Sequence, residues 1–312
     1  MQNVNTTILP VLDHLRAWEP ERVAILHRRA QGDRPAGLVF ASPDAQQRGD
    51  VLVGQVVRRS DTRLPLGQVG PAYRCVPNAD KVALFERLVE RRVIAADAVR
   101  SGEFGGGSKI WIQAVPAGDG GGIVLPNGHR VEARFTLIDS FDGSTSLATL
   151  DSATNIVCQN TYARAYREGL GVRLKHTTNV EERFLAVVKA IHASCQGLAK
   201  DAEVYAAMQR TSVDHKGGLK AMLDRFFPLP EKDGDTGPRA HANAQEVRDN
   251  IAWAYEYAPG AAPGTRFGLL QAATYYLTHQ AGREVNRLES SMIGANRRLT
   301  EQVTDWLVSQ MN

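Results

Sequence analysis

The segment RVEARFTLID, residues 130–139, restricts the fold more than any other stretch of the chain. Val131, Ala133, Phe135 and Leu137 alternate with Glu132, Arg134 and Thr136. A period of two puts the apolar set on one face of a strand and the polar set on the other, so the chain must contain a sheet with a buried face. Asn127-Gly128, just upstream, is a dipeptide that tolerates the positive φ angles of a tight hairpin turn. In KIWIQAV (109–115), Ile110, Ile112 and Ala114 share one face, and Lys109, Trp111 and Gln113 the other. A third strand is expected around SLATL and ATNIV, leading into a helix, CQNTYARAYRE, that starts at Cys158. The middle of the chain therefore reads β-β-β-α, an antiparallel curved sheet with a helix. The predicted class is α+β, with a mainly helical C-terminal region.

The flanks follow from punctuation and periodicity. Residues 1–50 carry Pro10, Pro20, Pro35 and Pro43 and read as a loosely structured N-terminal segment, with helical turns near Val11–Trp18 and Glu21–Arg28 and no independent core. VLVGQVV (51–57) and AYRCVP (72–77) read as a strand pair joined by a loop through Pro65, Gly67 and Gly70. NADKVALFERLVERRV reads as a helix with Asn78 as its N-cap. Asn179 and Glu182 fit a capping box before an apolar stripe of Val180, Phe184, Val187, Val188, Ile191, Cys195 and Leu198. A short helix is expected in DHKGGLKAMLDRFF, then a linker at 228–243, then helices near 244–257, 267–282 and 296–310. The resulting domains are a core over 51–227 and a helical region over 244–312.

Composition enters at the question of partners. Net charge is +3 over 312 residues, so the total does not mark a nucleic-acid binder, but its distribution is uneven. From Tyr162 to His176 lie Arg164, Arg167, Arg173 and Lys175, with Glu168 the sole acid and Tyr166 one turn from Tyr162. Cations neutralise phosphates and flat rings stack exposed bases, so this mixture suits a single-strand groove; a solvated basic helix face is the plainer alternative. If Ile110 and Ile112 face the core, Trp111 stands on the other side, open to a base or covered by a C-terminal helix.

Other chemistry finds little footing. Cys75, Cys158 and Cys195 form no Cys-x-x-Cys pair and read as reduced thiols of a cytoplasmic protein. Cys158 and His176 lack any hydrolase signature around them. The histidines show no metal-ligand spacing, so neither metal nor other cofactor is expected. Gly105–Lys109 resembles the end of a phosphate loop but enters a strand and lacks the first glycine, which excludes a P-loop. Asp142-Gly143-Ser144 reads as a turn. No run of about 18 apolar residues and no signal-peptide pattern appear, so no membrane contact is expected.

Together these segments resemble the phage/plasmid-like protein family, a domain of unknown function. The resemblance rests on Asp142, Gly143 and Ser144; Val157, Cys158, Gln159, Asn160 and Thr161; Lys175, His176 and Thr177; and Thr265, Phe267, Gly268, Tyr276 and His279. It runs from about Val51 to the end. Phe141 stands where a histidine is commoner, Gln271 where an asparagine is usual, and the first 50 residues lack the family's usual start. The resemblance implies a mobile-element protein, with distant similarity to ring-forming single-strand annealing proteins. The expected function is single-stranded DNA binding and annealing by a homo-oligomer, without enzymatic activity. The expected contacts are Lys109, Trp111, Arg134, Tyr162, Arg164, Tyr166, Arg167, Arg173, Lys175 and His176. The alternative is an accessory or anti-defence protein that binds a host protein through Tyr275, Tyr276 and Trp306.

Overall fold

The computed structural model describes residues 9–28, 37–41, 50–118, 121–126, 128–145, 147–155, 161–162, 180–231 and 237–311. After a 3-10 turn at Pro10–Leu12, α1 (Asp13–Arg16) leads to strands β1 (Pro20–Arg28), β2 (Gly37–Ala41), β3 (Val51–Arg59) and β4 (Pro65–Val69). Helix α2 (Asn78–Glu90) is followed by β5 (Arg100–Phe104), β6 (Lys109–Ala114), β7 (Gly122–Val124), β8 (Arg130–Ser140), β9 (Ala148–Asn155) and β10 (Thr161–Tyr162). The rest is helical: α3 (Val180–Arg210), α4 (His215–Phe226), α5 (Gly237–Tyr257), α6 (Arg266–His279), α7 (Glu284–Ile293) and α8 (Ala295–Ser309). The class is α+β, antiparallel sheets in the N-terminal half and helices after them.

One sheet has the order β2-β1-β3-β4 and the other β10-β9-β8-β6-β5, with β7 on β8. The second contains the strands that alternation marks. β6 and β8 pair antiparallel from Lys109↔Ser140 to Ala114↔Phe135. Leu125 and His129 close the β7–β8 hairpin through Leu125 N to His129 O (2.8 Å), and Gly128 adopts a φ of +79°.

The first sheet corrects the expectation for residues 1–50. Glu21–Arg28 is strand, not helix, because its apolar run Ala24-Ile25-Leu26 is buried and pairs with both β2 and β3. A continuous apolar run of this length carries no period that separates a buried strand from a helix. Upstream, Leu9, Leu12, Leu15 and Trp18 recur every three residues and all are buried. The N-terminal segment therefore contributes to a core. Pro65–Val69, expected as loop, is the edge strand β4, and 72–77 forms no strand. Pro65 is tolerated because it is the first residue of an edge strand.

Asn78 is not the N-cap of α2 but its first residue. The free amides of Asn78 and Ala79 donate instead to the Glu19 carboxylate, at 2.7 and 2.8 Å. A carboxylate at a helix N-terminus meets both unsatisfied donors and the positive end of the dipole.

The chain divides into two compact units, each of three segments: Met1–Ala117, Phe135–Leu150 and Gly171–His192 in one, and Gly118–Arg134, Asp151–Leu170 and Ala193–Asn312 in the other. The core of the first joins Leu9–Trp18 to Val57, Phe85, Ile112, Phe135 and Phe141. The second gathers Val131 and Ala133 with Tyr205, Met222, Ile251, Phe267 and Leu307. Residues 228–243 are thus not the boundary between the units. Gly237–Asn243 already belongs to α5, whose second residue is Pro238, where the missing N–H costs nothing. The helix α7 had no sequence expectation. The proposed cap Asn179 lies outside the described residues. The α3 stripe holds at Val187, Ile191 and Leu198, which are buried.

Candidate functional site

The register of β6 on β8 sets two turn motifs side by side. Because Lys109 pairs with Ser140, the Gly105–Ser108 loop that enters β6 meets the Phe141–Thr145 turn that leaves β8. Phe141 N donates to Ser108 O at 2.7 Å. The Asp142 carboxylate accepts from Ser144 N at 2.9 Å and lies 3.4 Å from Lys109 Nζ. Thr145 N donates to Ser140 Oγ at 2.9 Å. Gly143 holds a φ of +76°, which a side chain would strain. Gly67 of β4 lies beneath: a Cβ there would come within 2.3 Å of Asp142 Cα, so only glycine lets the strand and turn pack this closely.

Under the turn lies a buried ion pair. Lys81 Nζ is 2.8 Å from Asp139 Oδ2, with side chains 2% and 1% exposed. Lys81 Nζ also donates to Val76 O at 2.8 Å and to Asn78 Oδ1 at 3.3 Å. It sits 4.6 Å from the Phe141 ring centroid. That ring is wholly buried and meets Trp18 edge-on at 5.6 Å. A neutral ring suits position 141, since a protonated histidine there would add a second cation beside the ammonium. Neither Asp139 carboxylate oxygen has a hydrogen-bond partner among the described residues, so Oδ2 meets Lys81 as an ion pair. Tyr73 donates its hydroxyl to Ser140 O, and burial followed by the Asp139 charge raises its pKa.

This cluster underpins the Asp142 turn. Lys81 Nζ is held by two hydrogen-bond acceptors and by the Asp139 ion pair. Burial, and secondarily Asp139, pushes the Cys75 thiol up to about 11, so the reactive thiolate is scarce at neutral pH. The Asp142 carboxyl is depressed: burial raises it, and the Ser144 hydrogen bonds and Lys109 outweigh that. A depressed carboxyl stabilises the fold above its unfolded pKa and loses this contribution as pH falls through the folded value. Asp142→Ala is therefore expected to cost about 1 kcal/mol at pH 7. The difference from the parent protein should shrink near pH 3, as read by urea titration at both pH values.

Four of the ten residues expected at a nucleic-acid contact are among the described residues. Lys109 is mostly buried and engaged with Asp142. Trp111 is 8% exposed and stacks on Phe104 at 6.2 Å, so the expectation of a solvent-facing ring is corrected. Its indole lies over Gly102, the cross-strand partner, where a Cβ would come within 2.8 Å. Arg134 is also buried, its Nη2 3.6 Å from Glu132 Oε2. None of these three presents a surface to a polynucleotide. Tyr162 lies on β10, paired with Ala153. The helix expected from Cys158 does not run through Thr161–Tyr162, which is strand. Arg164, Tyr166, Arg167, Arg173, Lys175 and His176 lie outside the described residues, as does Cys158.

Lys81, Asp139, Tyr73 and Trp18 were missed by pattern reading. A signal existed for two of them. Lys81 occupies the apolar face of α2 with Val82, Phe85 and Leu88, and Asp139 interrupts the apolar end of β8. Opposite charges in two separate apolar faces are the trace of a buried pair.

Among the described residues, no helix is long and apolar enough to cross a membrane. No curated protein and no solved structure matches the chain. Residues 65–301 match the model of a domain of unknown function, DUF932, a span that includes the Asp142 turn, Lys81 and helices α3 to α7. The chain belongs to the DUF932 family.

Proposed function

We propose that this protein binds single-stranded DNA and promotes its annealing during phage or plasmid recombination. The observation that carries the reading is the position of Tyr162. It lies on β10, which ends the strand order of the six-stranded sheet, and the chain runs from there into Arg164, Tyr166 and Arg167. Among the described residues β10 pairs with β9 alone, and the basic, ring-bearing stretch follows it directly in the sequence. Arg164, Arg167, Arg173 and Lys175 neutralise phosphates and release counterions. Tyr162 and Tyr166 stack bases while leaving their pairing edges available, with His176 beside Lys175. Trp111 and Arg134 are left out of this contact set because they are buried, and Lys109 because it is half-buried and engaged with Asp142. Several copies in a homo-oligomer, in the manner of ring-forming annealing proteins, supply the length of groove that one copy lacks.

The test is fluorescence anisotropy of a labelled single-stranded oligonucleotide across a salt series. Binding is expected to weaken steeply with salt, and Arg164→Ala with Arg167→Ala to flatten the log–log slope by about 1.4, from roughly 0.7 per phosphate contact. Absence of salt-dependent binding by the parent protein defeats the proposal. An unchanged slope in the double variant removes those arginines from the contact.

A further inference from the structure

The second unit carries an aromatic rail with two exposed rings and two half-buried ones. Trp253 and Tyr257 of α5 are 46% and 71% exposed, unusual values for such large rings. Their centroids are 6.4 Å apart, Trp253 lies 6.0 Å from Tyr275 of α6, and Tyr275 lies 4.9 Å from His279. Four rings thus run in sequence over the α5–α6 surface. Tyr275 and His279 are half-buried, as are Tyr276 and Trp306, which are engaged with Phe227 and Phe226 in the same unit.

The rail continues into an acidic groove. Helical spacing places Ala242, Glu246, Asp249 and Asn250 on the same face as Trp253 and Tyr257. Ala242, Glu246, Asp249 and Asn250, with Pro238, His241 and Gln245, line a groove of about 560 Å³. Asp249 accepts from Gln245 Nε2, a neutral donor, at 2.7 Å. Glu246 adds to the burial effect that raises the Tyr276 pKa. Of the two arginines on α5, Arg248 is committed to Asp224 at 2.7 Å and Phe227 O at 3.2 Å, and Arg239 lies on the same face as Glu246, two turns nearer the N-terminus. His241 is engaged with Pro230 O at 2.6 Å.

Aromatic faces beside carboxylates match one chemistry. A polynucleotide would stack on the rings but be repelled by Glu246 and Asp249. A lysine or arginine side chain gains from both, through the ring quadrupole and the opposite charge. We infer that the α5–α6 face is a docking site for an arginine- or lysine-rich peptide segment of a protein partner, with Trp253 as the ring anchor and Glu246 and Asp249 as the charge partners. The assignment is independent of the DNA reading, which rests on other residues.

The probe is a fluorescein-labelled octapeptide of alternating arginine and glycine, titrated into the full chain at low and moderate salt. Saturable, salt-dependent binding with a change in tryptophan emission is expected. Glu246→Gln with Asp249→Asn should weaken it at least fivefold, and Trp253→Ala comparably. Glu90→Gln with Asp97→Asn removes the same charge from exposed positions of the first unit and should leave it intact. No saturable binding overturns the inference, as does equal weakening by both charge-removing pairs. Loss of oligonucleotide binding in Trp253→Ala, with the peptide unbound, also overturns it and assigns the rail to bases. Failure of oligonucleotide binding in the parent protein leaves the peptide result standing.

Discussion

Lys81→Met is expected to lower the stability of the first unit by about 3–5 kcal/mol, the usual cost of stranding one member of a buried ion pair. Methionine fills similar space, so the loss is electrostatic: Asp139, 1% exposed, would face the core without its cation, and Val76 O and Asn78 Oδ1 would lose their donor. The partner experiment separates charge from packing. Lys81→Met combined with Asp139→Leu should recover most of the loss, because apolar replacements of both members often match or exceed a buried pair. Hydrogen exchange of α2 and β8 amides reads the effect locally, and urea titration reads it globally. A loss below about 1 kcal/mol in the single variant would show that the pair is solvated in practice. Should Lys81→Met not accumulate as folded protein, Asp139→Asn keeps the shape, removes the carboxylate charge and gives the same sign in a measurable range.

The second large effect is expected at Trp18. Trp18→Ala should cost about 3–5 kcal/mol, as for other fully buried large aromatics. The indole is 1% exposed, carries the Arg59 guanidinium at 4.2 Å over its ring and meets Phe141 edge-on. Its Nε1 donates to Glu103 at 2.8 Å, and Glu103 in turn binds Arg59 at 2.7 Å. Trp18→Phe keeps much of the area and removes the donor, for an expected loss of about 1 kcal/mol. Thermal unfolding of the two variants should therefore separate clearly. Equal melting temperatures for Trp18→Ala and the parent protein would mean that the N-terminal segment contributes nothing to the first core.

The strands most legible in the sequence are those whose two faces differ. β8 and β6 followed from alternation, and α2, α4 and α6 from apolar spacing and turn residues. β1 was misread because Ala24-Ile25-Leu26 is apolar throughout, and its strand state is set by pairing with β3, far along the chain. Trp111 was misplaced for a related reason. Alternation says which face a side chain takes, but the cover on that face comes from Phe104 and the bare backbone of Gly102. At the site, Asp142-Gly143-Ser144 forms the turn its residues predict, while its support by Lys81 and Asp139 requires two distant segments to be seen together. The helix cap on α2 shows the same limit: the local candidate was Asn78, and the carboxylate that does the work comes from Glu19.

The threefold interleaving of the two units has a consequence for how such a chain can change over time. No single break in the gene separates one complete unit from the other, since 118–134 and 151–170 belong with the C-terminal helices while 135–150 and 171–192 belong with the N-terminal sheet. Exchange, duplication or loss of either unit therefore takes more than one cut in the gene. The pair is inherited whole, and a substitution tolerated in one half is always tested alongside the other.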